Sequence, residues 1–287
     1  MRTLRSRLAY TLALAALVVP ATAVAAGKPS VAALQVGLHA RGLYDGTIDG
    51  VHGAGTTAAV KKLQRLAGLP ADGVFDPKTR AALGRYAKHG LGSRSLKAGK
   101  SGWDVAALQF LLAWHGFPSG TFDGQFAGHT DRALRRFQRW AGLVPDGVAS
   151  PAVIAALHGP TPRVPIALAW PVLGPIGSPF GPRGFRFHSG IDIVVPRGTP
   201  VRAAAAGKVA YAGWAPGGWG KLVIVDHASG TRSMYAHLSA VGLKVGEAVV
   251  AGSRVGRVGA TGEAMGPHLH FEVRIRGASV DPLPALG

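Results

Sequence analysis

The sequence predicts a multidomain protein in which two small all-α modules precede an all-β, mainly antiparallel domain. Three observations support this fold class: an internal repeat with a constant offset of 74 residues, a proline-rich stretch at residues 158–165, and glycine-punctuated apolar runs after it. A chain of 287 residues has room for two or three domains. Its 42 glycines and 20 prolines favour turns and short strands over a long helical bundle.

The N-terminus has the pattern of a secretory signal peptide, predicted over residues 1–26. Arg2, Arg5 and Arg7 precede a stretch, Leu8–Val19, that is almost wholly apolar, and small residues at alternate positions follow. An uncleaved membrane anchor is the alternative, because the apolar stretch approaches the length of a membrane span. Pro20 and the alanines after it favour cleavage, so we expect a secreted or wall-located protein with no stable membrane span.

Composition limits the possible chemistry and partners. The chain has no cysteine, which excludes disulfides and thiolate chemistry and leaves His, Asp and Glu as the strong metal ligands. The formal net charge is +18 and remains +15 without the three arginines of the signal peptide. Such an excess attracts polyanions. For an exported protein these are anionic wall polymers or phospholipids, although the charge could also serve solubility alone. No nucleic-acid-binding motif is present, so nucleic acid is not expected as a partner.

The repeat relates residues 31–83 to residues 105–157 without a gap, and about half of the positions are identical. The corresponding segments are Val31–Gln35 with Val105–Gln109, Asp49–Gly50 with Asp123–Gly124, Gln64–Arg65 with Gln138–Arg139, and Asp72–Val74 with Asp146–Val148. A fixed period of this kind indicates a duplicated structural unit. The Asp–Gly pairs are interpreted as turns whose glycine accepts a positive φ, and not as metal sites.

Each copy is predicted to form three short helices. Ser30 and Asp104 precede the first apolar-periodic residues and are expected to be N-caps. Thr56 and Thr130 are expected to begin the second helix of each copy in the same way. The spacing of apolar residues around Phe137 is that of a helix face turned toward a core.

A basic stripe follows the second helix of each copy. The second copy has Arg132, Arg135, Arg136 and Arg139 on one helical face, and the first copy keeps Lys61, Lys62 and Arg65 at three of these four places. Such a stripe is either the solvated side of a helix or a surface that contacts anions.

The motifs of both copies resemble the three-helix peptidoglycan-binding modules. The pattern of that family is V-x-x-L-Q, a Gly-rich D-G loop, T-x-x-A-V/L-x-x-F-Q, G-L and D-G-V, and both copies match it over nearly their whole length. The resemblance implies two such modules, at residues 27–86 and 94–158, with peptidoglycan as the partner. The first copy departs from the pattern with His52 and Leu63, where the second has Phe126 and Phe137. The alternative is that the copies act as spacers.

Residues 159–169 read as a proline-rich linker, and residues 170–287 as a β domain. Strands are predicted at Gly207–Gly213, Lys221–Asp226, Arg254–Val258 and around His268–Arg276, because each is a short apolar run bounded by glycine or polar residues.

The β domain carries the residues that predict chemistry: His188 and Asp192 in H-x-x-x-D, His268 and His270 in H-x-H, and His237 between them. A catalytic zinc takes three protein ligands and keeps one position for water. Side chains alternate along a strand, so His268 and His270 should share one face. One of the two can then bind metal while the other contacts water or substrate.

Two further geometric expectations follow from the same strands. His188 and Asp192 are too far apart on a straight strand to be neighbouring ligands, so a bend at Ser189–Gly190 is expected. Tyr235 and His237 are expected to share a face of their strand by alternation.

These motifs resemble lysostaphin-type (LytM-like) zinc metallopeptidases over about residues 170–282. The landmarks are Ser178–Arg183, His188–Asp192, Gly198–Val201, Tyr235–Leu238 and Gly266–Glu272. The resemblance implies that His188, Asp192 and His270 bind Zn²⁺. It also implies that His237 and His268 activate water and stabilise the tetrahedral intermediate. It assigns no role to Glu272, and Arg183 and His227 are interpreted as structural.

Together these features predict an exported zinc-dependent endopeptidase that cleaves peptide cross-links or stem peptides of bacterial peptidoglycan and is anchored by its two modules. The alternative is a non-catalytic wall-binding regulator that activates a separate hydrolase. All five site positions are filled, which favours the enzyme.

Overall fold

The structure, a computed structural model, describes residues 27–287 apart from the side chain of Arg85. The predicted signal peptide lies outside these residues. Within 27–287, no helix has the length and apolar character needed to cross a membrane.

The first half of the described residues is helical, with three α-helices in each copy of the repeat. They span Pro29–His39 (α1), Ala54–Leu66 (α2), Pro77–Ala82 (α3), Trp103–Trp114 (α4), Gly128–Trp140 (α5) and Pro151–Leu157 (α6). A short 3-10 helix, Gly84–Ala87, follows α3. We call α1–α3 module 1 and α4–α6 module 2. The prediction of two all-α three-helix units is confirmed.

The predicted caps of the first helices are wrong. Ser30 and Asp104 lie inside α1 and α4, at the second helical position, and Lys28 and Gly102 precede these helices without a side-chain cap. Helix α1 begins early because Pro29, whose φ is already helical, takes its first position. The buried Asp104 instead pairs with Arg94, with 2.6 Å between Nε and Oδ2.

The threonines predicted to begin the second helices are also inside them, since α2 and α5 start two residues earlier. Thr130 instead belongs to a polar loop. Gln109 Nε2 donates to Asp123 Oδ1 at 2.8 Å and lies 3.2 Å from Thr130 Oγ1, while Gln109 Oε1 accepts from Gly124 N at 2.9 Å. The same Gln to Asp–Gly pattern occurs at Gln35, Gln64 and Gln138. The Asp–Gly pairs are therefore turns held by a buried glutamine.

The two modules pack on each other through their first helices, α1 and α4. The small residues Ala32 and Ala33 and their repeat equivalents Ala106 and Ala107 are buried in one hydrophobic cluster. Small side chains let the two helix backbones approach closely, so the duplicated units form a pair.

The second half is all β. Its strands are Ile176–Ser178 (β1), Gly181–Arg183 (β2), Arg186–His188 (β3), Ile191–Ile193 (β4), Pro200–Arg202 (β5), Gly207–Ala215 (β6), Gly220–Asp226 (β7), Thr231–Leu238 (β8), Ala240–Val241 (β9), Ala248–Val249 (β10), Arg254–Arg257 (β11), Leu269–Ile275 (β12) and Ala278–Val280 (β13). Short 3-10 helices span Ala228–Gly230 and Leu283–Ala285. Every named strand pair is antiparallel, as predicted.

The main sheet has the strand order β1-β4-β12-β8-β7-β6-β10, and β13 pairs with β12. Strands β5, β11 and β9 form a small sheet, and β2 and β3 form a separate hairpin. Strand β12 shows how the two faces differ. Leu269, Phe271 and Val273 point into the hydrophobic core with Tyr235, whereas the opposite face carries polar side chains.

The proline-rich stretch ends on the β domain. Residues 159–165 contain no helix or strand, but Leu168 N donates to Ala285 O and Ala169 N donates to Ala204 O, both at 2.8 Å. The C-terminal end of the predicted linker is therefore hydrogen-bonded to the β domain.

Candidate metal centre

Three neighbouring strand segments bring His188, Asp192 and His270 together. Strand β12 lies between β4 and β8 and places His270 directly opposite Asp192. His188 Nε2 lies 3.1 Å from both Asp192 Oδ1 and His270 Nδ1, and His270 Nδ1 lies 2.8 Å from Asp192 Oδ1. These are the residues that the sequence motifs single out, and one ligand atom of each lies within 4.8 Å of the others.

The expected bend between His188 and Asp192 is present at Ser189 and Gly190. His188 ends the hairpin strand β3, and β4 begins at Ile191 in the main sheet. A Cβ on Gly190 would lie 2.5 Å from Phe271 O and 3.0 Å from the His270 ring. Only glycine allows the chain to pass so close to β12, and this passage turns the two candidate ligands toward each other.

The backbone carbonyl of Pro179 orients the ring of His188. Its Nδ1 lies 2.8 Å from Pro179 O, so in the neutral ring Nδ1 carries the proton and donates to this carbonyl. The Nε2 lone pair is then directed at Asp192 and His270. The ring is 3 % exposed, so water does not compete for this nitrogen.

Glu272 faces the second imidazole, a position to which the sequence motifs gave no role. It lies two residues after His270 on the same face of β12 and is completely buried. Its Oε2 lies 3.7 Å from His270 Nε2, and its Oε1 accepts from Arg274 Nε at 2.7 Å and from Ser279 Oγ at 2.5 Å. This favours the His270 tautomer with Nε2 protonated and the Nδ1 lone pair facing Asp192. Strand alternation from His270 was the signal that could have identified Glu272.

Three electron-pair donors thus face one another. Burial alone would raise the pKa of Asp192, but the facing imidazoles of His188 and His270 lower it well below its usual range. Burial alone would lower the pKa of His270, but the Asp192 and Glu272 carboxylates raise it. The group therefore favours a positive charge at its centre. Two imidazole nitrogens and a carboxylate oxygen are a donor set that fits a divalent metal ion at this position.

His237 and His268 lie beside this group. Their ring centroids are 4.8 Å apart, and the His237 centroid is 5.9 Å from that of His270. Nδ1 of His237 lies 2.9 Å from Thr261 O, and Nδ1 of His268 lies 2.9 Å from Gly266 O. In both neutral rings Nε2 is therefore the free nitrogen, and that of His268 lies 3.7 Å from Asp192 Oδ1.

The expectation that Tyr235 and His237 share a face of their strand is wrong. Tyr235 points into the core, where its hydroxyl accepts from Ala204 N at 2.8 Å. His237 has φ 59°, a left-handed conformation that interrupts the alternation near the end of β8, and the pairing with β7 shifts register there. This turns the imidazole to the polar face. Burial lowers the pKa of His237 to about 4, so the ring is neutral at physiological pH.

Two other side chains border the centre. Arg183, interpreted from sequence as structural, extends its Nη1 to 3.1 Å from Asp192 Oδ2, so it contacts a candidate ligand directly. The Trp219 ring meets the His270 ring edge-on at 5.4 Å. His227 lies away from the centre and is bonded to Ala206 O and Ser233 Oγ, a structural position as expected.

Comparison with known proteins identifies both parts of the chain. Residues 186–282 match the family described as peptidase family M23. Residues 27–83 and 101–157 each match the family described as "Putative peptidoglycan binding domain".

Individual relatives are similar over less than half of the chain. The DD-carboxypeptidase/endopeptidase Mpg of Neisseria meningitidis serogroup B is 46% identical over 114 residues, which are 38% of this chain and 26% of Mpg. The cell division protein DipM of Caulobacter vibrioides is 40% identical over 138 residues, 46% of this chain and 23% of DipM. The chain thus spans about a quarter of the length of these curated relatives.

Among solved structures, the catalytic domain of the antimicrobial peptidase lysostaphin from Staphylococcus simulans is 36% identical. The match covers 39% of this chain and 84% of that one, with a TM-score of 0.34. Residues 186–282 thus form a peptidase family M23 domain, which follows two domains of the peptidoglycan-binding family.

Proposed function

We propose that this protein is an exported, zinc-dependent endopeptidase that cleaves peptide cross-links or stem peptides of bacterial peptidoglycan. The observation that carries the proposal is the convergence of His188, Asp192 and His270 beside two further imidazoles. Membership of a peptidase family and the two peptidoglycan-binding domains support the reaction class and the polymer.

His188, Asp192 and His270 would hold the zinc ion. Their donor atoms are separated by 2.8–3.1 Å. This is slightly shorter than the roughly 3.4 Å edge of a tetrahedron with metal–ligand bonds of about 2.1 Å, so the donors need to move apart only slightly to admit the ion. When bound, zinc would lower the pKa of a water molecule and polarise the scissile carbonyl.

His237 and His268 would move protons and stabilise charge. Each has its Nδ1 engaged by a backbone carbonyl, which leaves Nε2 to accept the proton of the attacking water and return it to the leaving amine. The neutral state of His237 suits the first of these steps. Arg183 and Trp219 border the same space and would exclude bulk water or contact the peptide.

The modules would hold the enzyme on its substrate. Domains at residues 27–86 and 94–158, a linker at 159–169 and a peptidase domain at 170–287 remain our proposed division of the chain. Linked binding sites raise the local concentration of substrate at the catalytic domain. Export would follow from the signal peptide at residues 1–26, and anionic wall polymers would be secondary partners of the basic surface.

Two measurements on purified protein test the proposal. We expect about one zinc per chain by metal analysis, loss of zinc in His188→Ala, and retained zinc without cleavage of isolated sacculi in His268→Ala. His129→Ala is the control, because His129 is exposed on α5, and it should keep both properties. A wild-type protein that binds no zinc, or a His268→Ala variant that cleaves sacculi normally, would refute the assignment.

A further inference from the structure

The hairpin β2–β3, which ends at His188, lies between the two modules at its tip. Ile48 N of module 1 donates to Gly184 O at 2.9 Å, and Phe122 N of module 2 donates to Phe185 O at 2.7 Å. Ile48 and Phe122 are 74 residues apart, so they are the same position of the repeat. The two copies therefore bind consecutive carbonyls of the hairpin tip with equivalent backbone atoms. We call this contact the clasp.

Aromatic side chains extend the clasp along the hairpin. The His39 ring of module 1 stacks on Phe185, with ring centroids 3.8 Å apart. From module 2, Trp114 meets Phe187 edge-on at 5.4 Å and Phe180 at 6.3 Å. Trp114 is 9 % exposed although it ends helix α4, so the hairpin and its flanking residues cover most of its surface.

Phe187 and Phe180, which Trp114 contacts, are direct sequence neighbours of the candidate ligand His188 and of Pro179. Phe187 immediately precedes His188. Phe180 immediately follows Pro179, whose carbonyl accepts the hydrogen bond from His188 Nδ1. Phe180 and Phe187 also pack edge-on against each other at 5.0 Å. Trp114 therefore supports both the backbone that carries the imidazole and the backbone that orients it.

We infer that the module pair is a structural part of the peptidase site, with Trp114 as a positioning residue for His188. This inference rests on the proposed function for its effect on metal binding. A wall-binding module that acts only as a tether would need no such contact. Residues that orient a metal ligand typically change metal affinity about 10–100-fold when they are removed.

Trp114 and Trp103 offer a matched comparison for the test. Both are on α4 and nearly buried, at 9 % and 7 % exposure, but Trp103 packs on Phe75 of module 1 and not on the hairpin. In chelator competition with the full chain, we expect Trp114→Ala to bind zinc about 10–100-fold more weakly. Trp103→Ala and the conservative Trp114→Phe should stay close to wild type. Equal losses in both alanine variants, or none in Trp114→Ala, would overturn the positioning role.

Hydrogen exchange tests the clasp without any metal. The amides of Ile48 and Phe122 should be protected in the wild-type chain and should exchange together, faster, in Phe185→Ala. Rapid exchange of both amides in the wild type would overturn the clasp itself. A wild type that binds no zinc but keeps these amides protected would instead refute the proposed function alone.

An independent observation concerns a cavity of about 250 Å³ between module 2 and the β12–β13 turn. It is lined by Phe117, Arg136, Arg139, Trp140, Arg276 and Gly277. Of the basic stripe predicted on α5, Arg135 pairs with Asp131 and Arg132 contacts His129, whereas Arg136 and Arg139 face this cavity.

The lining of the cavity contains three guanidinium groups and, among the described residues, no acidic side chain. Arg136 donates to Gly277 O at 3.1 Å, but the guanidinium groups of Arg139 and Arg276 make no hydrogen bond or ion pair with any residue in the described part of the chain. Trp140 Nε1 is buried without an acceptor there. Burial, and then the charge of Arg274, lower the pKa of Arg136.

We propose that this cavity binds a phosphate-type oxyanion of a wall polymer. Three guanidinium groups and an indole N–H can satisfy the charge and the three or four oxygens of a phosphate. A single carboxylate has fewer oxygens and less charge, so it would leave some of these donors without an acceptor. Module 1 has Leu43 and Leu66 at the places of Phe117 and Trp140, so the site belongs to module 2 alone.

Calorimetric titration with inorganic phosphate and with acetate tests this site. We expect saturable phosphate binding that weakens about tenfold or more in Arg276→Ala, since a charged hydrogen bond contributes about 1.5–3 kcal/mol. Arg132→Ala removes one positive charge from α5 outside the cavity, and this variant should bind phosphate normally. Non-saturable binding, equal weakening in both variants, or acetate binding as tight as phosphate would overturn the assignment.

Discussion

Replacing Glu272 by glutamine tests how the fold supports the metal centre. The carboxylate is completely buried and accepts hydrogen bonds from Arg274, Ser279 and Ser189 while it faces His270 Nε2. Glutamine keeps the size of the side chain but removes the charge. Arg274 and His270 would then lose their buried partner, and removing one member of a buried pair is strongly destabilising.

The size of the effect follows from the pKa of Glu272. Burial alone would raise it, but the facing His270 imidazole and the charge of Arg274 lower it from 4.5 to about 2. This difference corresponds to roughly 3 kcal/mol of unfolding free energy. Because the folded-state pKa is the lower one, the contribution is fully present above pH 4.5 and is lost as the pH falls toward 2. At pH 7 the variant should therefore be less stable by about this amount.

Two assays on metal-free and zinc-loaded protein check this prediction. Urea unfolding of the metal-free chain at pH 7 should show the loss of about 3 kcal/mol, and chelator competition should show zinc affinity about 10–100-fold weaker. Glu263→Gln, at an exposed position, is the control and should change neither. A Glu272→Gln variant with wild-type stability and zinc affinity would refute the view that this carboxylate holds His270 in place.

Two further predictions address the backbone and the pH response. In Gly190→Ala, the new Cβ would lie 2.5 Å from Phe271 O, so we expect a loss of about 1–3 kcal/mol together with weaker zinc binding; unchanged melting and zinc titration would contradict the close approach. Burial lowers the pKa of His115, and the hydrogen bond with Leu157 O offsets part of this effect. The folded state therefore favours the neutral ring, and the stability that His115 contributes is lost as the pH falls below about 6.5. Between pH 7.5 and 5.5, the melting temperature of His115→Gln should therefore fall less than that of the wild type. An equal fall in both proteins would refute this role.

Much of the fold was accessible from sequence because it depends on local patterns. The 74-residue offset identified the duplicated helical units, and glycine-bounded apolar runs identified strands β6, β7, β11 and β12 within about two residues of their ends. Alternation along β12 correctly separated His270 from Phe271. The cap predictions at Ser30 and Asp104 failed because proline and glycine, and not side-chain oxygens, set where α1 and α4 begin.

What the sequence determined by itself is the set of candidate site residues and the units that carry them, since motif spacing and periodicity are properties of neighbours along the chain. Only the tertiary structure decided how the residues are supported. The positive φ of His237 reverses the face that alternation predicts, and Glu272 becomes a partner of His270 only after β12 is buried. The contact of Ile48 and Phe122 with the hairpin joins segments more than sixty residues apart, which no local pattern encodes. Such long-range contacts form because burial and backbone hydrogen bonding are satisfied over the whole chain at once.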